Sequence, residues 1–192
     1  MSATPYSTAN GTFTNSAHAL ARSFIYPDLF GVEPWRVRWD DDTQVCTSER
    51  GRFLDGELGI DRIALVDGDG LKAPLRVTIQ ERFRRPGYFG RFHDVTITEW
   101  NPQSNTPSEL YKICADLLLY GEYDQERNAF GQWVAVKVLP VKLWLLTLRD
   151  AEIERLRGVN PRSQQPFIGI NVDTLRSIGA LEEPIDPFAE EE

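Results

Sequence analysis

Residues 60–66 and 75–83 are rich in apolar and β-branched side chains, and Asp67-Gly68-Asp69-Gly70 lies between them. The Asp-Gly pairs supply the positive φ values of a tight turn, so an antiparallel hairpin is expected. Strand alternation then puts Val77, Ile79 and Glu81 on one face and Thr78, Gln80 and Arg82 on the other. A third strand is expected over residues 93–100, reached through Pro86-Gly87-Tyr88-Phe89-Gly90, which makes a three-stranded antiparallel meander.

Helices are expected on both sides of this unit. Ala17, Leu20, Ala21, Phe24 and Ile25 recur at helical spacing over residues 15–26, with Pro27 as the stop. Downstream, Thr106 as N-cap, Pro107 and Glu109 form a capping-box pattern, and Leu110, Ile113, Leu117 and Leu118 predict a helix to Gly121. Between these elements, Arg36 and Arg38 alternate with Trp35, Val37 and Trp39, the pattern of a short strand or extended arm. Residues 133–138 read as a buried strand, 141–148 as strand or helix, 150–156 as a helix, 167–172 as a last strand and 174–178 as a helical turn. Trp133 and Trp144 are candidates for the core. The fold class is α+β: a central mixed sheet with an antiparallel three-stranded meander, flanked by helices.

The chain of 192 residues is 41% hydrophobic and 26% charged, enough to bury a core and too apolar for wholesale disorder. Its organisation is expected to be a mobile N-terminus (1–12), one domain (13–180) and an acidic tail (181–192). The net charge of −8 is concentrated in that tail, whose six acids leave −2 on the remainder. Acidity therefore does not exclude a nucleic-acid partner, and the tail offers a docking segment for a basic protein. Two cysteines, Cys46 and Cys114, build no disulfide framework, so a reducing cytoplasm is expected. No apolar run is long enough for a membrane span. His18 and His93 lack cysteine partners at zinc spacing.

The chemistry concentrates near the hairpin. Asp61 opens one strand, and Gln80 and Arg82 share a face of the other, so an acid, an amide oxygen and a guanidinium converge. The order helix, Gly59-Ile60-Asp61 strand, turn, strand ending in Gln80-Glu81-Arg82, strand, helix resembles the PD-(D/E)XK nuclease-like superfamily, also called restriction endonuclease-like, over residues 13–140. The resemblance implies that Asp61 takes the place of the first acid, Gln80 of the second and Arg82 of the lysine. It implies metal-dependent hydrolysis of DNA phosphodiesters, with Asp61 and Gln80 as ligands of Mg²⁺ or Mn²⁺ and Glu81 as a substitute ligand. Arg82 and Lys112 are then the electrostatic stabilisers. Gln in place of an acid weakens the hold on a hard dication, and Arg, unlike Lys, cannot act as a base.

Residues 82–91 add Arg84, Arg85, Tyr88 and Arg91 as candidates for gripping a phosphate backbone and stacking on bases, or as a solvated loop. Lys112, Asp116 and Tyr120 are expected on one polar stripe of the capped helix. The alternative to an enzyme is an inactive nuclease-like fold that binds nucleic acid or a protein partner, as an accessory protein of a phage or mobile element would. A homodimer is compatible with either.

Overall fold

The computed structural model describes residues 8–40, 48–88, 91 and 93–182. The chain begins with α1 (Thr8–Leu20), a π-helical turn (Ala21–Ile25) and α2 (Tyr26–Phe30). Pro27 does not stop this helical run as expected. It occupies the first turn of α2, where a missing N–H costs nothing, and Gly31 at φ 61° ends the helix instead. After a 3₁₀ turn (Pro34–Arg36) come β1 (Val37–Trp39), α3 (Glu49–Leu58), β2 (Arg62–Val66) and β3 (Leu75–Arg84). The hairpin forms, with Arg62 opposite Ile79 and Val66 opposite Leu75, but residues 67–74 connect the strands in place of the expected tight Asp-Gly turn, and of its two glycines only Gly70 has a positive φ, 78°.

The chain continues through β4 (Asp94–Thr98), β5 (Trp100–Asn101), β6 (Thr106–Pro107), α4 (Glu109–Lys112), β7 (Leu117–Asp124) and β8 (Ala129–Lys137). It closes with α5 (Val138–Thr147), α6 (Asp150–Leu156), β9 (Arg157–Val159), β10 (Pro166–Asn171), α7 (Val172–Ser177) and β11 (Leu181–Glu182). The central sheet has six strands in the order β1-β2-β3-β7-β8-β11, parallel only between β3 and β7. A mixed sheet flanked by helices is therefore the architecture.

One face of this sheet packs Ala64, Val77, Ile79, Leu117, Leu119 and Ala135 against Ala21, Ile25, Tyr26 and Leu29 of the N-terminal helices. The other packs Ile63, Leu118, Tyr120 and Val136 against Val95, Ile97, Ile168 and Ile170 of a second sheet, β4-β10-β9, and against α3, α5 and α7.

Two further expectations are corrected. The antiparallel three-stranded unit is β1-β2-β3, because β4 leaves to pair with β10. The helix expected from Thr106 to Gly121 shrinks to the four residues of α4. Beyond it, Leu58 O accepts from Cys114 N and Thr78 O from Asp116 N, which ends the helix, and Leu117–Tyr123 are buried on both faces as a central strand. Gly121 is no helix stop: a Cβ there would lie 3.0 Å from Trp133 Cβ on the neighbouring strand. The described chain starts with α1 at Thr8, and within residues 181–192 it includes β11, where Glu182 pairs with Lys137 Nζ at 2.7 Å. The rest of the acidic tail, Cys46 and Phe89 lie outside the described residues. No helix among the described residues is long and apolar enough to cross a membrane.

Leu119 is fully buried on the central strand. Leu119→Ala should lower unfolding free energy by about 2–5 kcal/mol, measured by urea titration.

Candidate functional site

The alternation of β3 divides its side chains as the sequence requires. Gln80 and Arg82 line a cleft of about 230 Å³, whereas Glu81 is buried under the N-terminal helices. The cleft is walled by Asp55 and Gly56 of α3, by Gly59, by Thr98, Asn101 and residues 106–109, and by Lys112. Three of the sequence candidates, Gln80, Arg82 and Lys112, therefore share one site.

Asp61 is not among the residues that line the cleft; it is buried next to β3 at the end of the hairpin ladder. Its N–H donates to Ile79 O at 2.8 Å, and its Oδ2 accepts from Glu81 N at 2.7 Å, so its contacts bracket Gln80. Gly59 makes this placement possible: it ends α3 at φ 57°, and a Cβ there would come within 3.0 Å of Ile113 Cα. Burial pushes the Asp61 carboxyl well above its ordinary pKa, and the charges of Glu81 and Asp55 push it further, against the opposing Glu81 N–H and Arg62. Among the described residues no cluster of three His, Cys, Asp or Glu side chains is arranged to hold a metal. A donor set here has to combine Asp55 and Asp61 with an amide, and Gln80 Oε1 is buried without a hydrogen-bond partner. An orphaned oxygen in the cleft and a buried acid, Asp61, opposed by the charge of Asp55 fit a hard cation, which would relieve both costs.

Glu81 is corrected from a ligand to an anchor. Tyr26 Oη donates to its Oε1 at 2.6 Å, His18 Nδ1 lies against its Oε2, and Arg62 Nε is 3.4 Å from the same oxygen. Burial alone would raise its pKa, but the contacts with His18, Tyr26 and Arg62 hold it below the ordinary value. Burial and Glu81 together push the Tyr26 phenol up, keeping it a donor.

The basic segment is also rearranged. Arg84 turns inward, donating to Tyr120 Oη and Thr96 Oγ1, each at 2.9 Å, and it lies over the Tyr88 and Tyr120 rings. Tyr88 is half-buried and donates to Asp94. Neither faces outward as a backbone grip would, because the space between the two sheets claims both. Arg85 is exposed over Phe13, and Arg91 is exposed. The polar stripe dissolves with the long helix. Lys112 Nζ donates to Gly56 O at 2.9 Å, Asp116 Oδ2 accepts from Thr78 N and Oγ1, and Tyr120 is buried in β7.

Asp55, Thr98 and Glu109 went unrecognised as site residues. Asp55 was legible in principle: Ser48 caps α3, accepting from Gly51 N at 2.9 Å, and Gly59 follows the helix, a start and stop pair that predicts it. The contact of Glu109 with Arg82 at 2.5 Å has no local signal, since 27 residues separate them.

No family model, curated protein or solved structure matches the chain.

The two buried acids carry opposite pH signatures. Asp61, with a raised pKa, weakens the fold increasingly as pH climbs above the ordinary aspartate value. Asp61→Asn should therefore melt above wild type at about pH 8, and the difference should vanish near pH 3. Glu81 stabilises above the ordinary glutamate range and loses this as pH falls through its lowered value, so Glu81→Gln should cost most at neutral pH. Thermal melts across pH on the three proteins read both effects.

Proposed function

We propose that the cleft is a phosphodiester-hydrolysing site acting on DNA with bound Mg²⁺ or Mn²⁺. The observation that carries this reading is the orphaned Gln80 Oε1 in a cleft shared with Asp55, next to the buried Asp61, whose carboxyl the Asp55 charge opposes and whose hydrogen bonds go to β3 on either side of Gln80. These three side chains would hold the cation, and the resemblance to PD-(D/E)XK nuclease-like proteins supports Asp61, Gln80 and Arg82 in those positions. When bound, the cation supplies Lewis acidity towards the phosphate and an acidified water.

The chain itself supplies position and charge. Arg82 and Lys112 line the same cleft and place two cations where a phosphate would sit. The guanidinium cannot accept a proton, so Arg82 binds and stabilises and does not act as a base. Arg85 and Arg91 are exposed, Arg85 over Phe13 of α1 on the helical side of the sheet, so the cleft's own positive charge comes from Arg82 and Lys112. Glu81, on the far face, keeps β3 in register with Asp61 through its own N–H.

A second reading, a nuclease-like fold that binds DNA or a protein partner without cutting, is favoured by the Arg82–Glu109 ion pair, which occupies the guanidinium. The two separate in one experiment. Incubated with single-stranded, duplex and branched DNA, the purified protein should cut at least one substrate in Mg²⁺ or Mn²⁺ and none in EDTA. Asp61→Ala and Asp55→Asn should each lower the rate by at least ~100-fold. Cutting that persists in Asp61→Ala defeats the assignment. Salt-sensitive binding without cutting selects the second reading.

A further inference from the structure

Glu109 sits on the cleft wall with a side chain only 8% exposed. Its Oε2 accepts from Arg82 Nη2 at 2.5 Å, Thr98 Oγ1 at 3.2 Å and Thr98 N at 3.3 Å. The Thr98 hydroxyl is also paired with Ser108 Oγ at 3.0 Å. When Ser108 donates in that pair, the threonine proton is free to point at Glu109. A guanidinium, a hydroxyl and a backbone N–H thus converge on one anionic oxygen, the donor set that phosphate oxygens take in protein sites. The carboxylate fits this place incompletely: its other oxygen, Oε1, is buried without a hydrogen-bond partner, a costly arrangement for a charged group.

We propose that the Arg82–Thr98 donors form the seat for a non-bridging phosphate oxygen of the substrate, and that Glu109 closes this seat until an anion displaces it. The proposal rests on reading the cleft as a phosphodiester site. A phosphodiester carries two non-bridging oxygens, so one can take the place of Oε2 while the other meets Lys112 in the same cleft. Displacement needs only rotation of the Glu109 side chain towards the exposed rim at residues 102–107. The helix that bears it can stay in place, tied by Tyr111 Oη to Glu99 at 3.0 Å. Glu109 then acts as a built-in competitor that discriminates against weakly held anions, and the ion pair with Arg82 becomes a resting state of the site.

The test uses the full chain without metal and inorganic phosphate as the probe, with binding followed by ³¹P NMR line broadening. Glu109→Gln should bind phosphate about tenfold more tightly than wild type, equivalent to ~1.4 kcal/mol. Adding Arg82→Met should erase that gain, and neutralising an exposed turn acid, Glu126→Gln, should produce none. Glu109→Asp, which withdraws the carboxylate by one methylene, should also bind more tightly. A gain in Glu109→Gln no larger than in Glu126→Gln, or one that survives Arg82→Met, overturns the proposal. So does failure of both Glu109 variants to fold, which would make Glu109 a structural group. A phosphate gain in a protein that cuts no DNA in Mn²⁺ keeps the seat and rejects hydrolysis. Cutting without the phosphate gain rejects the seat alone.

Discussion

Burial of Glu81 is the constraint around which the rest is arranged. A carboxylate in the interior survives only when charged or hydrogen-bonding partners meet it, and here His18, Tyr26 and Arg62 do so from the N-terminal helical run and the adjoining strand. This anchors the first helical layer to β3 at one point. It also fixes the backbone at the residue whose N–H holds Asp61. One residue thereby ties both: its side chain is buried under the helices on one side of the sheet, and its amide holds the buried carboxylate of Asp61.

That coupling places two acids close enough to oppose each other. Asp61 is kept buried beside Glu81 and Asp55 although each makes its charged form less favourable. Natural folds tolerate such arrangements where a site needs them, at a cost in stability met by packing elsewhere. The packing is ample: β7 is buried on both faces between two hydrophobic clusters. The cleft lies beyond this core at the end of β3, walled by α3, α4 and the short β5-β6 pair. The deep elements provide rigidity, and the thinner wall carries the polar groups.

Much of this was legible in the sequence, for identifiable reasons. The two apolar strand runs either side of a polar, glycine-containing segment mark the β2-β3 hairpin, although its loop is eight residues long and not a tight turn, and the period of two assigns Gln80 and Arg82 to one face and Glu81 to the other. Over 106–121, Leu110, Ile113, Leu117 and Leu118 recur at helical spacing, while the apolar run from Leu117 suits a doubly buried strand equally well. Capping chemistry at Thr106 and Glu109 tipped that balance towards helix. The folded protein spends Glu109 on Arg82 and Thr98 instead.

The sequence by itself determined the hairpin, the facing of its side chains and the placing of Asp61 against the Gln80 segment, because these depend on strand patterning and alternation within some twenty residues. Only the tertiary structure decided which oxygens and cations share the cleft. Asp55 reaches Asp61 through the end of α3, and Glu109 reaches Arg82 across the cleft wall. It likewise withdrew Arg84 and Tyr88 from the surface and made residues 117–124 a central strand. These outcomes depend on burial and pairing between segments far apart in the chain, where local propensity gives way to whichever partner satisfies the backbone and the buried charge.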